Sequence, residues 1–94
     1  MSAPHERILK VGRIRGVIYT FDHVNDILPM HSHGENDVHI TIVARGEFYC
    51  HGPAFGEMTL ETGQVIDWDA GIEHEFCALA PASRLVNIIK DPNF

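Results

Sequence analysis

Histidine is the residue in excess in this chain. There are seven in 94 residues, and three of them, His31, His33 and His39, fall within nine consecutive positions. His31 and His33 are two apart. Side chains alternate between the faces of a strand, so these two share a face and both imidazoles can converge on one ion. His39 opens a β-branched run after the polar Gly34-Glu-Asn-Asp37 loop, and His74 follows 35 residues later in Glu73-His-Glu-Phe-Cys-Ala-Leu79. Neutral imidazole is the commonest side-chain ligand for first-row divalent ions, and near pH 7 an unperturbed histidine is mostly neutral. Four histidines packed into a dry interior without an ion would leave many ring nitrogens in need of partners. The chemistry is therefore the binding of one divalent transition metal (Fe, Mn, Ni, Cu or Zn) on His31, His33, His39 and His74. His5, His23 and His51 have no partner at ligand spacing and read as surface or turn residues. His51, just before Gly52-Pro53, reads as a loop tip.

Strands must position these side chains. Arg13 to Phe21, Val38 to Ala44, Gly46 to His51, Gln64 to Trp68, Glu73 to Leu79 and Arg84 to Ile89 are rich in β-branched and aromatic residues. Shorter candidates lie at Arg7 to Val11 and Glu57 to Leu60. Turn chemistry separates them: Asn25-Asp26, Gly52-Pro53, Thr62-Gly63, Asp69-Ala-Gly71 and Pro81-Ala-Ser83. Many short strands with regular turn signals predict an all-β sandwich or barrel. No stretch carries a capped 3.6-residue period, so no long helix is predicted. In the run from Val38 to Ala44, one face carries His39, Thr41 and Val43, and the other Val38, Ile40, Ile42 and Ala44. Both are largely apolar, so both should be covered. A barrel interior covers one. A second copy covering the other makes a homodimer the expectation, with a second sheet of the same chain as the alternative.

The bulk composition sets limits. The length predicts one domain spanning 1–94. Seven basic against thirteen acidic residues give a net charge of −6. With no Lys/Arg cluster, a nucleic-acid partner is not expected. No apolar run approaches the ~20 residues needed to span a bilayer, and the N-terminus has no signal-peptide h-region. A cytoplasmic protein without a membrane partner is the default. Cys50 and Cys77 read as free packing residues. The tail from Asp91 to Phe94 is expected to fray.

Two stretches carry a resemblance. His31-Ser-His33, His39 and Gly46 resemble the first motif of the cupin superfamily. That motif has HxH, a third ligand that is usually Glu, and a glycine seven residues after it. Gly46 is seven residues after His39, which makes His39 the third ligand with His in place of Glu. Asp37 is the rival by its spacing from His33, but it loses the register with Gly46. Gly63-Gln-Val-Ile-Asp-Trp-Asp69-Ala-Gly71-Ile-Glu-His74 resembles the second motif, which ends on the last histidine. The first motif's opening glycine is replaced by Asn25, which tolerates the same left-handed backbone. Asp69 replaces the usual proline, and Ala78 replaces the usual asparagine. The resemblance covers roughly 15–90 and implies the double-stranded β-helix of the cupins, a jelly-roll-like barrel.

The resemblance also frames the function. Four neutral ligands leave the ion its full positive charge, which suits an anionic oxygen substrate such as an enolate, a 2-oxo acid or a sugar acid. On a six-coordinate ion they leave two positions, enough for a bidentate substrate or for one substrate oxygen and O2. Three histidines would leave three. Small cupins include metal-dependent dioxygenases, and that is the favoured reading, with an apolar pocket wall of Val43, Phe76 and Ala78 and with Trp68 or Phe48 nearby. Other cupins are non-redox isomerases or lyases of sugars and sugar acids, for which Asp67, Tyr19 and Tyr49 are the acid/base candidates. A third reading is a ligand-binding module without turnover. In each the partner is a small molecule.

Overall fold

Nine β-strands make up the regular structure of the computed structural model, which describes residues 2–12, 14–32 and 38–90. In chain order they are β1 (His5–Val11), β2 (Ile14–Phe21), β3 (Ile27–His31), β4 (Val38–Arg45), β5 (Glu47–Gly52), β6 (Gly56–Glu61), β7 (Val65–Trp68), β8 (His74–Ala78) and β9 (Ser83–Lys90). They form a five-stranded sheet in the order β1-β2-β9-β4-β7 and a four-stranded sheet in the order β3-β8-β5-β6. Every strand pairing is antiparallel. Among the described residues no helix is long and apolar enough to cross a membrane.

Alternation explains how the sheets meet. Along β9, Ser83, Leu85, Asn87 and Ile89 are buried while the residues between them are partly or fully exposed. In β4 the buried side chains are His39, Thr41 and Val43. These residues face Phe48, Cys50, Phe76 and Ala78 of the other sheet, and Phe21, Leu60, Trp68 and Leu85 complete the core. The T-shaped Phe21–Phe48 pair, with centroids 4.8 Å apart, joins the two layers. The face of β4 that carries His39 is thus covered by a second sheet of the same chain. Its other face, with Ile40 and Ile42, looks outward and is partly exposed.

His31 lies on a strand, as expected, but the preceding residues of β3 were not among the predicted runs, and one histidine sits elsewhere than expected. Strand β3 contains Pro29, which cannot donate to a ladder. It is tolerated because β3 is an edge strand and its register against β8 shifts between Leu28 and His31. His51 is not a loop tip. It lies in β5, half-buried, with Nε2 2.6 Å from Glu75 Oε2. Its ladder partners, Glu57 on one side and Glu75 on the other, are what placed a polar residue there. His5 and His23 are exposed, as expected, with His5 2.6 Å from Asp22. Cys50 is buried in the core, where desolvation pushes its thiol up to about 12, so it is inert packing. The tail from Asp91 lies outside the described residues.

Two turns use a left-handed backbone, one of them expected from the sequence. Asn25 adopts a φ of 72°, in the left-handed region assigned to it from the sequence. Gly46, between β4 and β5, has a φ of 82° and lies against Ser83, so a Cβ there would overlap the serine hydroxyl and approach its Cβ to 2.8 Å. The turn therefore needs glycine for both backbone and space.

Candidate functional site

Three of the four candidate ligands lie among the described residues, and His74 is the neighbour of each of the other two. His31 and His74 are directly paired across β3 and β8. His39 comes from the opposite sheet, where it pairs with Trp68 of β7 on one side and Ile89 of β9 on the other. The His31 and His74 ring centroids are 4.4 Å apart, and those of His39 and His74 are 5.6 Å apart. His39 and His74 are fully buried, and His31 is partly exposed. His33 and the rival ligand Asp37 lie outside the described residues.

The backbone orients two of the rings. Nδ1 of His31 donates to the Pro29 carbonyl at 2.7 Å, and Nδ1 of His74 donates to the Ile72 carbonyl at 3.0 Å. A carbonyl can only accept, so both Nδ1 atoms carry the proton and each neutral ring has its lone pair at Nε2. Metal-ligating histidines ordinarily make such a bond from the ring nitrogen that faces away from the ion. Nε2 of His74 and both ring nitrogens of His39 are buried.

Metal coordination sets the spacing that two ligating rings would need. An imidazole nitrogen about 2.1 Å from an ion puts the ring centre roughly 3.2 Å from it, so two rings ligating at about 90–120° have centres roughly 4.5–5.5 Å apart. The separations of 4.4 and 5.6 Å fall just outside the two ends of that range. The approach is pairwise: among the described residues no group of three or more His, Cys, Asp or Glu side chains is placed to hold an ion.

An aromatic wall closes the site. The Trp68 indole stacks on His74, with centroids 4.0 Å apart and planes inclined by 14°. Phe76 meets His74 edge-on at 5.6 Å, and Phe55 covers Trp68 at 5.6 Å. Trp68 Nε1 donates to Thr41 Oγ1 at 2.8 Å, and Thr41 Oγ1 donates to Asn87 Oδ1 at 2.6 Å. This buried chain fixes the indole plane, and through it the neighbouring imidazole. The sequence reading missed it. Its signals were Thr41 on the His39 face and an asparagine at an inward position of the apolar run from Leu85 to Ile89. Of the expected pocket residues, Phe76 touches the histidine cluster. Val43 and Ala78 lie further along the interior, in the core with Phe48 and Leu85.

The acid/base candidates are placed otherwise. Asp67 pairs with the outward-facing Ile40 and so points away from the histidines. Tyr49 is on the outer face of the four-stranded sheet, where its hydroxyl donates to Glu57 at 2.6 Å; that bond, chiefly, raises its pKa. Tyr19 packs against the core level with Leu85, whereas His39 is level with Ile89. Burial raises the Tyr19 pKa.

Solved structures with the same arrangement identify the architecture. The chain has the cupin fold. It is similar to KdgF from Halomonas sp., at 21% identity over 92% of this chain and 76% of that one, with a TM-score of 0.78. It is similar to an RmlC-like cupin from Desulfovibrio desulfuricans, at 19% identity over 94% of this chain and 82% of that one, with a TM-score of 0.81. A conserved protein with a double-stranded β-helix domain from Klebsiella pneumoniae matches at 18% identity over 97% of this chain and 79% of that one, also at 0.81. No family model and no curated protein matches the chain. The expected all-β double-stranded β-helix is therefore the observed fold.

Proposed function

We propose that this chain is a metal-dependent cupin dioxygenase acting on a small enolate or oxo-acid substrate. The observation that carries the reading is the pairing of His31 and His74, each turned by its Nδ1–carbonyl bond so that its lone pair is at Nε2, with His39 facing His74 from the other sheet. His31, His39, His74 and, by its place in the HxH motif, His33 would hold the ion. When bound, such an ion supplies positive charge for an anionic oxygen and, as Fe, Mn, Ni or Cu, redox chemistry with O2.

The chain's own residues supply the surroundings. Trp68 and Phe76 make the wall beside His74 apolar, which excludes water and protects reactive species. The same dryness strengthens the attraction between the site and an anionic substrate. Two of the side chains considered for proton transfer, Asp67 and Tyr49, face away from the cluster. This favours oxygen chemistry over acid/base isomerisation.

Elemental analysis of protein purified without a histidine tag tests the ion, and oxygen consumption with a panel of enolisable acids tests the reaction. Near-stoichiometric metal and substrate-dependent oxygen uptake are expected. Turnover that persists with Zn2+ under argon would instead assign a non-redox isomerase or lyase. Saturable ligand binding without any product would assign a binding module. Substoichiometric metal with no uptake on addition would end the metal reading altogether.

A further inference from the structure

One end of the five-stranded sheet gathers arginines. Arg45 of β4 lies directly opposite Arg84 of β9, Arg84 lies opposite Thr20 of β2, and Thr20 lies opposite His5 of β1. Arg7 of β1 follows two residues on, level with Ile18. Three of the chain's five arginines thus share one end of one sheet, in a chain whose net charge is −6. Like charges set directly opposite on neighbouring strands are destabilising. Among the described residues none of Arg7, Arg45 and Arg84 is ion-paired. Asp22 engages His5 instead, at 2.6 Å. A groove of about 270 Å³ lies here, bordered by His5, Glu6, Arg7, Ile18, Thr20 and Arg84. Arg7 and Arg84 stand on either side of β2, two strand spacings apart and two residues out of level, so their Cα atoms are about 12 Å apart. The half-buried Ile18 and Thr20 lie between them. Glu6 pairs with Tyr19, which packs against the core, so alternation sets its side chain on the opposite face from Arg7.

We propose that this groove binds a phosphate group, free or carried by a small organic molecule, with Arg7 and Arg84 as its charged donors and the Thr20 hydroxyl as a neutral one. Arginine presents paired N–H donors that match phosphate oxygens, and it stays charged at every physiological pH. Two guanidiniums balance the charge of a phosphate monoester, which approaches −2 near neutral pH. The groove exceeds a bare phosphate in volume and leaves room against Ile18 for an apolar substituent. A nucleic-acid backbone fits poorly, because the arginines are confined to this one end of an acidic chain. The site is separate from the histidines. Arg84 is five residues from Ile89, the β9 partner of His39. That is roughly 17 Å along the strand, and on its other face.

Isothermal titration of the full chain with inorganic phosphate and with phenyl phosphate, at constant ionic strength, tests this. One saturable site per chain is expected. Arg7→Gln and Arg84→Gln should each weaken it at least about tenfold, as loss of a hydrogen bond between charged groups does. Thr20→Val should weaken it less. Lys10→Gln removes the same charge from the opposite face of β1 and should change nothing, and His74→Ala should leave phosphate affinity intact. Arg7, Arg84 and Lys10 are all exposed, so these substitutions spare the core, and circular dichroism verifies folding. Tighter binding of phenyl phosphate assigns an organic monoester as the ligand, and equal or weaker binding assigns free phosphate. No saturable binding of either overturns the proposal. Equal weakening by Lys10→Gln and Arg7→Gln also overturns it, in favour of diffuse attraction. Loss of binding in His74→Ala overturns it by placing the phosphate among the histidines. Elemental analysis decides the metal reading separately, so either can fail alone.

Discussion

The Trp68 indole lies flat against the His74 imidazole, 4.0 Å from centroid to centroid. Trp68 is the single tryptophan of the chain, so its emission reports on this one imidazole. Titration with Cu2+ or Ni2+ should quench it saturably at one ion per chain, while Zn2+ should shift it without comparable quenching. His74→Ala should abolish the response and leave far-ultraviolet circular dichroism unchanged. Quenching that persists in that variant would place the ion elsewhere.

The bonds from Trp68 to Thr41 and from Thr41 to Asn87 make a prediction about stability. All three residues are buried, and the threonine hydroxyl is both acceptor and donor. Thr41→Val keeps the shape and removes both bonds, stranding an indole N–H and an amide oxygen. The expected loss is about 1–3 kcal/mol, read from the urea midpoint. The double variant Thr41→Val/Asn87→Leu should lose less than the sum of the single variants, because each removes the other's partner.

Gly46 makes a second such prediction. Its φ of 82° disfavours any L side chain, and a Cβ would meet Ser83. Gly46→Ala should cost roughly 2–4 kcal/mol, combining left-handed strain with overpacking. Asn25 already takes such a backbone without glycine, so Asn25→Gly should change stability by only a few tenths of a kcal/mol. Thermal melts of the two variants would separate these cases.

How legible this was in the sequence depends on what each residue's signal encodes. Alternation in β4 and β9 encodes burial directly, so the strands, the inward His39 and the outward Ile40 and Ile42 could be read in advance. The turn residue Asn25 encodes a backbone dihedral and was read correctly, whereas Gly46 was read only as a motif position in register with His39 and its left-handed turn was not foreseen. Strand β3 was hidden because Pro29 is a breaker by local rules, and its tolerance at a sheet edge is a tertiary fact. His51 was misread because its carboxylate partner, Glu75, comes from a strand 24 residues away. The Trp68–His74 stack was invisible because it joins β7 to β8 across the two sheets, a packing that neither strand's own pattern encodes.

Asp26 ties the segment before β1 to the loop before β3, and gives a pH dependence. Its carboxylate accepts the backbone N–H of His23 at 3.0 Å, and the hydroxyl and N–H of Ser2 at 2.8 and 3.2 Å. Chiefly the His23 bond, with the Ser2 bonds assisting against desolvation, lowers its pKa below the ordinary 3.8. A carboxyl lowered in the folded state contributes stability that is fully present above its unfolded value and is lost as pH falls through the folded one. The wild type should therefore lose stability below about pH 4 more steeply than Asp26→Asn, and the variant should be the less stable at pH 7. Parallel curves at the two pH values would show that Asp26 has no such role.

His39 decides how many protein ligands an ion would have. It reaches the cluster from the five-stranded sheet, whereas His31 and His74 share a ladder in the other. With His39 ligating, the ion would tie the two sheets together. Metal loading should then raise the melting temperature, and His39→Ala should both lower affinity at least tenfold and shrink that rise. Were His39 only packed beside His74, His39→Ala would leave a cavity and destabilise the metal-free protein, yet the metal-induced rise would stay intact. Isothermal titration and melting curves, with and without metal, distinguish the two. His31→Ala is the reference: it removes a ring held at Nδ1 by the Pro29 carbonyl and should lower affinity in the same way. The predicted pattern is loss of the metal-induced rise in both variants, with the larger metal-free destabilisation in His39→Ala, because that ring is fully buried and the His31 ring is not.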